Sequence, residues 1–217
     1  LNKLRDKAIE TNKKWAKKLH ISESTAITCV KPSGTVSQLV NSASGIHPRY
    51  NDYYIRRVRN DKKDPLSQTV IDSGVPYSSD PYNGNAWVFD FPMKAPAKAI
   101  TRKSLGPLDQ LELWKHFASH YCEHKPSMTC YVGEKDWPEV GAWVWKNFDI
   151  INGISFLPSA DEGHIYQLAP YEDISKEKYK ELAKTMPKNI DWSSIIEEED
   201  FTTSSQEFAC TADQCEI

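Results

Sequence analysis

Two short stretches of this 217-residue chain carry residue types whose spacing suits chemistry. The first is Lys31-Pro32-Ser33-Gly34-Thr35-Val36-Ser37, set between an apolar run and residues able to start a helix. The start of a helix presents unpaired backbone N–H groups and the positive end of a dipole, both of which favour an anion. Gly34 lets a ligand approach the main chain closely, and Ser33, Thr35 and Ser37 add hydroxyl donors. The stretch reads as a cradle for phosphate, and equally as an ordinary turn with an N-cap. Its place after an apolar strand pattern supports the cradle, because ligands of α/β proteins gather at the carboxyl ends of strands. It lacks the Gly-Lys-[Ser/Thr] ending of a P-loop, so ATPase mechanics are not implied.

The second stretch is Cys210-Thr211-Ala212-Asp213-Gln214-Cys215, close to the end of the sequence. A zinc site would need about four ligands, and no second pair lies nearby. A structural disulfide in so acidic a segment would stabilise little. A third reading is a dithiol on an arm that reduces a disulfide elsewhere by exchange and then closes on itself. The spacing permits that closure.

Other chemistry-bearing residues read as structure. His116, His120 and His124 recur every fourth residue, but no acidic residue completes a metal site and Pro126 ends the helix, so they read as a solvated face. No metal site is expected. Cys29 and Cys130 fall in apolar runs and read as small core residues; Cys122, at a helix end with no base beside it, reads as structural. Asp161-Glu162-Gly163-His164 reads as a loop.

These residues need elements to hold them. Leu4, Ala8, Trp15 and Leu19 fit one helical stripe with lysines on the other faces. Residues 24–30, rich in Thr, Ile and Val, predict a strand stopped by Pro32 and Gly34; residues 36–41 predict a short helix, and Leu66, Val70 and Ile71 another. From residue 86 the pattern is strand (86–91), helix (107–121, with Pro107 in the first turn), strand (127–132), helix (capped by Asp136, to 148) and strand (153–157). Such alternation predicts a parallel sheet with helices outside it. Ser175 can cap a last helix to about 184. Beyond Trp192 the chain turns acidic and polar, which predicts a mobile tail. The expected division is therefore one body over 1–190 and a tail over 191–217.

Composition bounds the function. The chain has 27 basic and 30 acidic residues, yet residues 1–63 alone hold 14 basic and 5 acidic ones. A basic first third suggests an anionic ligand. Arg49, Arg56, Arg57, Arg59, Lys62 and Lys63, interleaved with Tyr50, Tyr53 and Tyr54, also suit single-stranded nucleic acid, although no nucleic-acid motif accompanies them. No apolar run approaches the ~20 residues of a membrane span, there is no signal-peptide pattern, and five cysteines make a poor disulfide framework. A cytoplasmic protein is expected. The sequence opens at Leu1 with a helical pattern already under way, so it reads as a piece of something longer.

Lys31-Pro32-Ser33-Gly34-Thr35-Val36-Ser37, then Gly45-Ile46-His47-Pro48 and Tyr54-Ile55-Arg56-Arg57-Val58-Arg59, resemble adenosylcobalamin-dependent (class II) ribonucleotide reductases, most closely the monomeric ribonucleoside-triphosphate reductases. Gly153-Ile154-Ser155-Phe156-Leu157-Pro158, Gly163-His164-Ile165-Tyr166, Ala169-Pro170-Tyr171-Glu172 and the terminal Cys210/Cys215 pair continue the likeness in order. The resemblance implies an α/β fold, the C-terminal part of a ten-stranded α/β barrel followed by a flexible tail. It implies that Pro32, Ser33, Gly34, Thr35, Val36 and Ser37 hold the substrate's phosphates, and that Cys210 and Cys215 re-reduce an active-site disulfide. It implies adenosylcobalamin as cofactor, with Gly45, Ile46, His47, Pro48, Gly163, His164, Ile165 and Tyr166 inside two cobalamin-binding spans, about 45–105 and 164–203. The partners implied are the N-terminal remainder of the reductase, a ribonucleoside triphosphate and a thioredoxin-like reductant. In that family an adenosyl radical oxidises a cysteine to a thiyl, which attacks the ribose. The catalytic residues are expected upstream, so this chain alone is expected to be inactive. The competing expectation is a free-standing anion- or nucleic-acid-binding module.

Overall fold

A computed structural model describes residues 1–159 and 167–195, with the backbone of two short strands at 210–211 and 214–215. The fold is mixed α/β, and the described residues form two compact units, one drawn from 1–49 and 100–159 and the other from 50–99 and the described residues from 167 on.

The first unit opens with α1 (Asn2–Leu19), closed by His20 in the left-handed conformation, its N–H turned back to the carbonyls of the last turn. Only Ala16 of this helix is buried, while Leu4, Trp15 and Leu19 of the expected apolar stripe stay 65, 47 and 58% exposed. The one-turn α2 (Val36–Leu39) follows. Next in this unit comes α4 (Pro107–His120), with Pro107 in its first turn, where a missing N–H costs nothing. The β4 strand (Met128–Val132), a 3₁₀ turn (Glu134–Asp136), α5 (Trp137–Lys146) and β5 (Ile154–Pro158) complete it. β4 and β5 run parallel, from Met128 opposite Ile154 to Val132 opposite Pro158, so this strand–helix–strand segment is the parallel crossover that the alternation predicts. Leu111, Trp114, Met128, Cys130, Val132 and Val140 form the core, with Ile46 packed into it.

Residues 24–30 were expected as a strand and are not one. Their main-chain bonds go to the turn after α4: the N–H of Glu123 donates to Thr28 O at 2.8 Å and that of Ser127 to Val30 O at 3.1 Å. The Glu123 carboxylate accepts the N–H groups of Ile27 and Thr28 at 3.1 and 3.2 Å, in place of a ladder. Cys29 is accordingly exposed, which corrects its reading as a core residue, whereas Cys130 is fully buried as expected.

The second unit is a four-stranded antiparallel sheet in the order β2-β3-β1-β6, made of β1 (Tyr53–Asp61), β2 (Tyr77–Ser79), β3 (Ala86–Lys94) and β6 (Tyr171–Asp173). The expectation that strand 86–91 joins the later parallel strands is therefore corrected: β3 pairs antiparallel with β1 and β2. Val70, Val75 and Phe89 form this unit's core with α3 (Pro65–Asp72), whose N-cap Asp64 accepts the N–H of Leu66. Ser175 caps α6 (Lys176–Thr185) by accepting the N–H of Lys178, as predicted. The remaining strands, β7 (Cys210–Thr211) and β8 (Gln214–Cys215), pair antiparallel. Among the described residues no helix is long and apolar enough to cross a membrane.

Candidate functional site

The 31–37 loop is held from within. Ser33 Oγ accepts the N–H of Ser37 at 3.1 Å, and Ser37 Oγ donates to Ser33 O at 2.7 Å, so these two hydroxyls are used in shaping the loop. Ser44 Oγ, just beyond α2, accepts the N–H of Ser33 at 2.7 Å. The next three amides, those of Gly34, Thr35 and Val36, meet no acceptor among the described residues, and all three residues are exposed. A run of unpaired N–H groups with one free hydroxyl, Thr35, is an anion-binding arrangement. α2 has a single turn, so its dipole adds little, and an anion held here would rest on the amides themselves. A Cβ built on Gly34 would meet nothing within 4 Å, which leaves its amide face open.

Gly45 sets the back of this loop. Its φ is +59°, and a Cβ there would stand 2.8 Å from Lys31 O, so only glycine lets the return chain lie against the start of the loop. Ile46 and His47, each 7% exposed, turn inward. His47 Nδ1–H donates to Ser44 O at 2.7 Å, and Nε2 accepts the N–H of Thr129 at 2.9 Å. Both ring nitrogens are thus engaged, and burial holds the imidazole below the usual histidine range, in its neutral form. Residues 45–48 therefore offer no free side-chain donor to a cofactor; their side chains brace the loop against β4.

The other predicted residues fall as follows. Gly163, His164, Ile165 and Tyr166 lie outside the described residues, as does most of the stretch beyond Ile195. Cys210 and Cys215 are register partners in the β7–β8 pair. Directly opposed residues of an antiparallel pair have Cα atoms ~4.5–5.5 Å apart, within the range a disulfide requires. His116 and His120 are exposed with ring centroids 4.8 Å apart, and no group of three metal-ligating residues occurs among the described residues.

The arginine cluster is committed internally. Arg57, 6% exposed, donates to Asp90 at 3.0 Å, to Ala169 O at 3.0 Å and to Glu172. Arg59 donates to Asp80 at 2.7 Å, Arg49 to Ser42 O and Asn41, and Arg56 lies over the Tyr171 ring. Tyr50 and Tyr54 pack on Tyr171, and Tyr53 packs on Tyr179. Such a surface is not a phosphate-tracking groove with bare aromatic platforms.

Sequence reasoning missed Ser44 and Glu123, the two side chains that fix the flanks of the loop. The small-residue run Ser42-Ala43-Ser44-Gly45 was a usable turn signal for the first; Glu123 gave none. A cleft of about 620 Å³ also opens at the carboxyl ends of β4 and β5, lined by Arg102, Lys103, Tyr131, Gly133, Trp137 and Ser159 among others; no residue of 31–37 or 45–48 lines it.

No protein-family model matches the chain. In fold it is similar to a B12-dependent class II ribonucleotide reductase, with a TM-score of 0.75 and 25% identity over 90% of this chain and 28% of that one. In sequence it is related to adenosylcobalamin-dependent ribonucleoside-triphosphate reductases. It is 28% identical to that of Euglena gracilis over 201 residues, 91% of this chain and 27% of the relative. It is 27% identical to that of Lactobacillus delbrueckii subsp. bulgaricus over 187 residues, 84% of this chain and 25% of the relative. The chain thus spans about a quarter of the length of these relatives.

Proposed function

We infer that this chain is the C-terminal portion of an adenosylcobalamin-dependent ribonucleoside-triphosphate reductase, converting ribonucleoside triphosphates to deoxyribonucleotides together with an N-terminal remainder. The observation that carries the reading is the row of unpaired amides at Gly34, Thr35 and Val36, at the same motif on which the likeness rests. In this reading the Pro32, Ser33, Gly34, Thr35, Val36 and Ser37 loop grips the substrate's phosphates. Ser33 and Ser37 keep the amides aligned, while Ser44 and Gly45 hold the loop from behind. Fixed amides in a preformed turn bind an anion without ordering cost at the moment of binding.

Within the reading, β4 and β5 belong to the strands of a ten-stranded barrel, and Cys210 and Cys215 form the exchangeable dithiol that a thioredoxin-like protein recharges. Adenosylcobalamin is the cofactor and supplies the radical when bound. Its contacts belong to the wider spans 45–105 and 164–203, since the side chains of 45–48 are taken up by the interior. The opposed register of the two cysteines supports closure of an intramolecular disulfide after each delivery of electrons.

The test is titration of the chain with a ribonucleoside triphosphate, and separately with a short single strand, at two salt concentrations. Triphosphate binding that is lost in Gly34→Glu supports the reading. Steeply salt-dependent strand binding without triphosphate binding would replace it with a nucleic-acid module. Joined to the N-terminal remainder, Cys210→Ser is expected to allow one reduction by pre-reduced enzyme and then to stall with a protein reductant; sustained turnover would remove the dithiol role.

A further inference from the structure

We propose that Cys29 and Cys122 form a second dithiol, which closes to a disulfide when the chain meets a small-molecule disulfide such as oxidised glutathione. Residues far apart in sequence are brought alongside here by three backbone-directed bonds. Glu123 N–H donates to Thr28 O at 2.8 Å, Thr28 Oγ1 donates to Tyr121 O at 2.5 Å, and Ser127 N–H donates to Val30 O at 3.1 Å. Thr28 is therefore bonded to both chain neighbours of Cys122, and Cys29 is the next residue along. Val30 packs on the core beyond it, while Cys29 faces solvent.

The two thiols differ in a way that assigns their order of reaction. Cys29 is exposed and Cys122 half-buried. Burial raises the Cys122 thiol above the ordinary cysteine value; the Val30 backbone lowers it, and the Cys29 charge raises it. Cys130 takes no part: it is fully buried, its Sγ faces Pro107 O at 3.6 Å, and its thiol is pushed up to about 12.

The accessible Cys29 thiolate attacks one sulfur of the oxidant, forming a mixed disulfide and releasing one glutathione thiolate. Cys122 then gives up its proton and attacks the Cys29 sulfur, releasing the second glutathione. Two protein thiols lose two electrons in all, and one disulfide is reduced to two thiols. Neither cysteine belongs to the phosphate loop or to the terminal pair, so this pair makes the chain responsive to redox state independently of the function proposed above.

The test uses the full chain carrying Cys210→Ser and Cys215→Ser, incubated with oxidised glutathione, alkylated, and digested without reduction for mass spectrometry. The expected result is loss of alkylation at both Cys29 and Cys122, with a linked peptide joining them. In the Cys122→Ser form, Cys29 is expected to accumulate as a stable glutathione adduct. In the Cys29→Ser form, Cys122 is expected to stay reduced with no linkage. A glutathione adduct on Cys29 that persists while Cys122 is intact would overturn the proposal. So would linkage of Cys29 to Cys130 as abundant as linkage to Cys122.

Discussion

His47 Nε2 accepts the backbone N–H of Thr129 at 2.9 Å, so an imidazole stands where a neighbouring strand would otherwise bond the edge of β4. Thr129 is 1% exposed, and its N–H has no water to fall back on. A buried donor left unpaired costs about 1–3 kcal/mol. His47→Ala is expected to lose about that much in urea unfolding, beyond the loss from the cavity. His47→Gln, which keeps an acceptor, is expected to recover part of it.

The same residue makes stability depend on pH. Because burial lowers the folded-state pKa from 6.5, the unfolded chain takes up a proton that the folded one refuses. His47 therefore costs nothing above pH 6.5, and stability falls as pH drops from 6.5 toward the folded value. Unfolding free energies of parent and His47→Gln measured across that window should diverge, the parent losing more on acidification. Parallel curves would refute the assignment.

Arg57 joins β1 to both neighbouring strands through Asp90 and Glu172. Burial raises the Asp90 carboxyl, and the Arg57 charge opposes that rise. Arg57→Met should cost about 1–3 kcal/mol at neutral pH, since it leaves the half-buried Asp90 carboxylate without its cation. Removing the cation lifts the Asp90 pKa further, and a raised carboxyl favours the fold on the acid side of its titration. Arg57→Met should accordingly regain more stability than the parent as pH falls, and adding Asp90→Asn should erase that gain.

Two glycines separate support from binding. Gly45→Ala meets both a positive φ and a Cβ position 2.8 Å from Lys31 O, and is expected to cost about 2–3 kcal/mol. Gly34→Ala meets open space and should leave stability within ~0.5 kcal/mol. If the amides grip phosphate, Gly34→Ala is expected to weaken triphosphate binding with an unchanged melting temperature, which calorimetry and thermal scans together would show.

Cys130, with its thiol near 12, should resist alkylation at neutral pH in the folded chain and react only on unfolding. Its modification rate is then a direct measure of opening of the first unit's core.

Patterns with one dominant period were legible in the sequence. Pro107 at a helix start and the Ser175 cap were read correctly because first-turn chemistry is local and decides both. β1 was not legible. Three of its residues are arginines, neutralised by Asp80, Asp90, Glu172 and an aromatic ring contributed by other segments, so its charge concealed a strand. The opposite error fell on 24–30, whose composition suits a strand but whose partners are a carboxylate and a turn. The 31–37 turn was legible from residue types, which left a phosphate cradle and an ordinary turn both open; its braces were not, because His47 and Glu123 act on segments 82 and 95 or more residues away.

The route of the chain also orders its own assembly. Ile46 and His47 emerge from the ribosome before an excursion of some fifty residues into the antiparallel sheet, while the β4 edge they close against comes only afterwards. Until Thr129 has been synthesised, a hydrophobic side chain and a neutral imidazole wait without their docking site. The nascent chain is then most exposed to aggregation or to chaperone capture, and chains arrested within residues 50–127 should show a protease-sensitive 1–49 segment that becomes protected once β4 and β5 have been made.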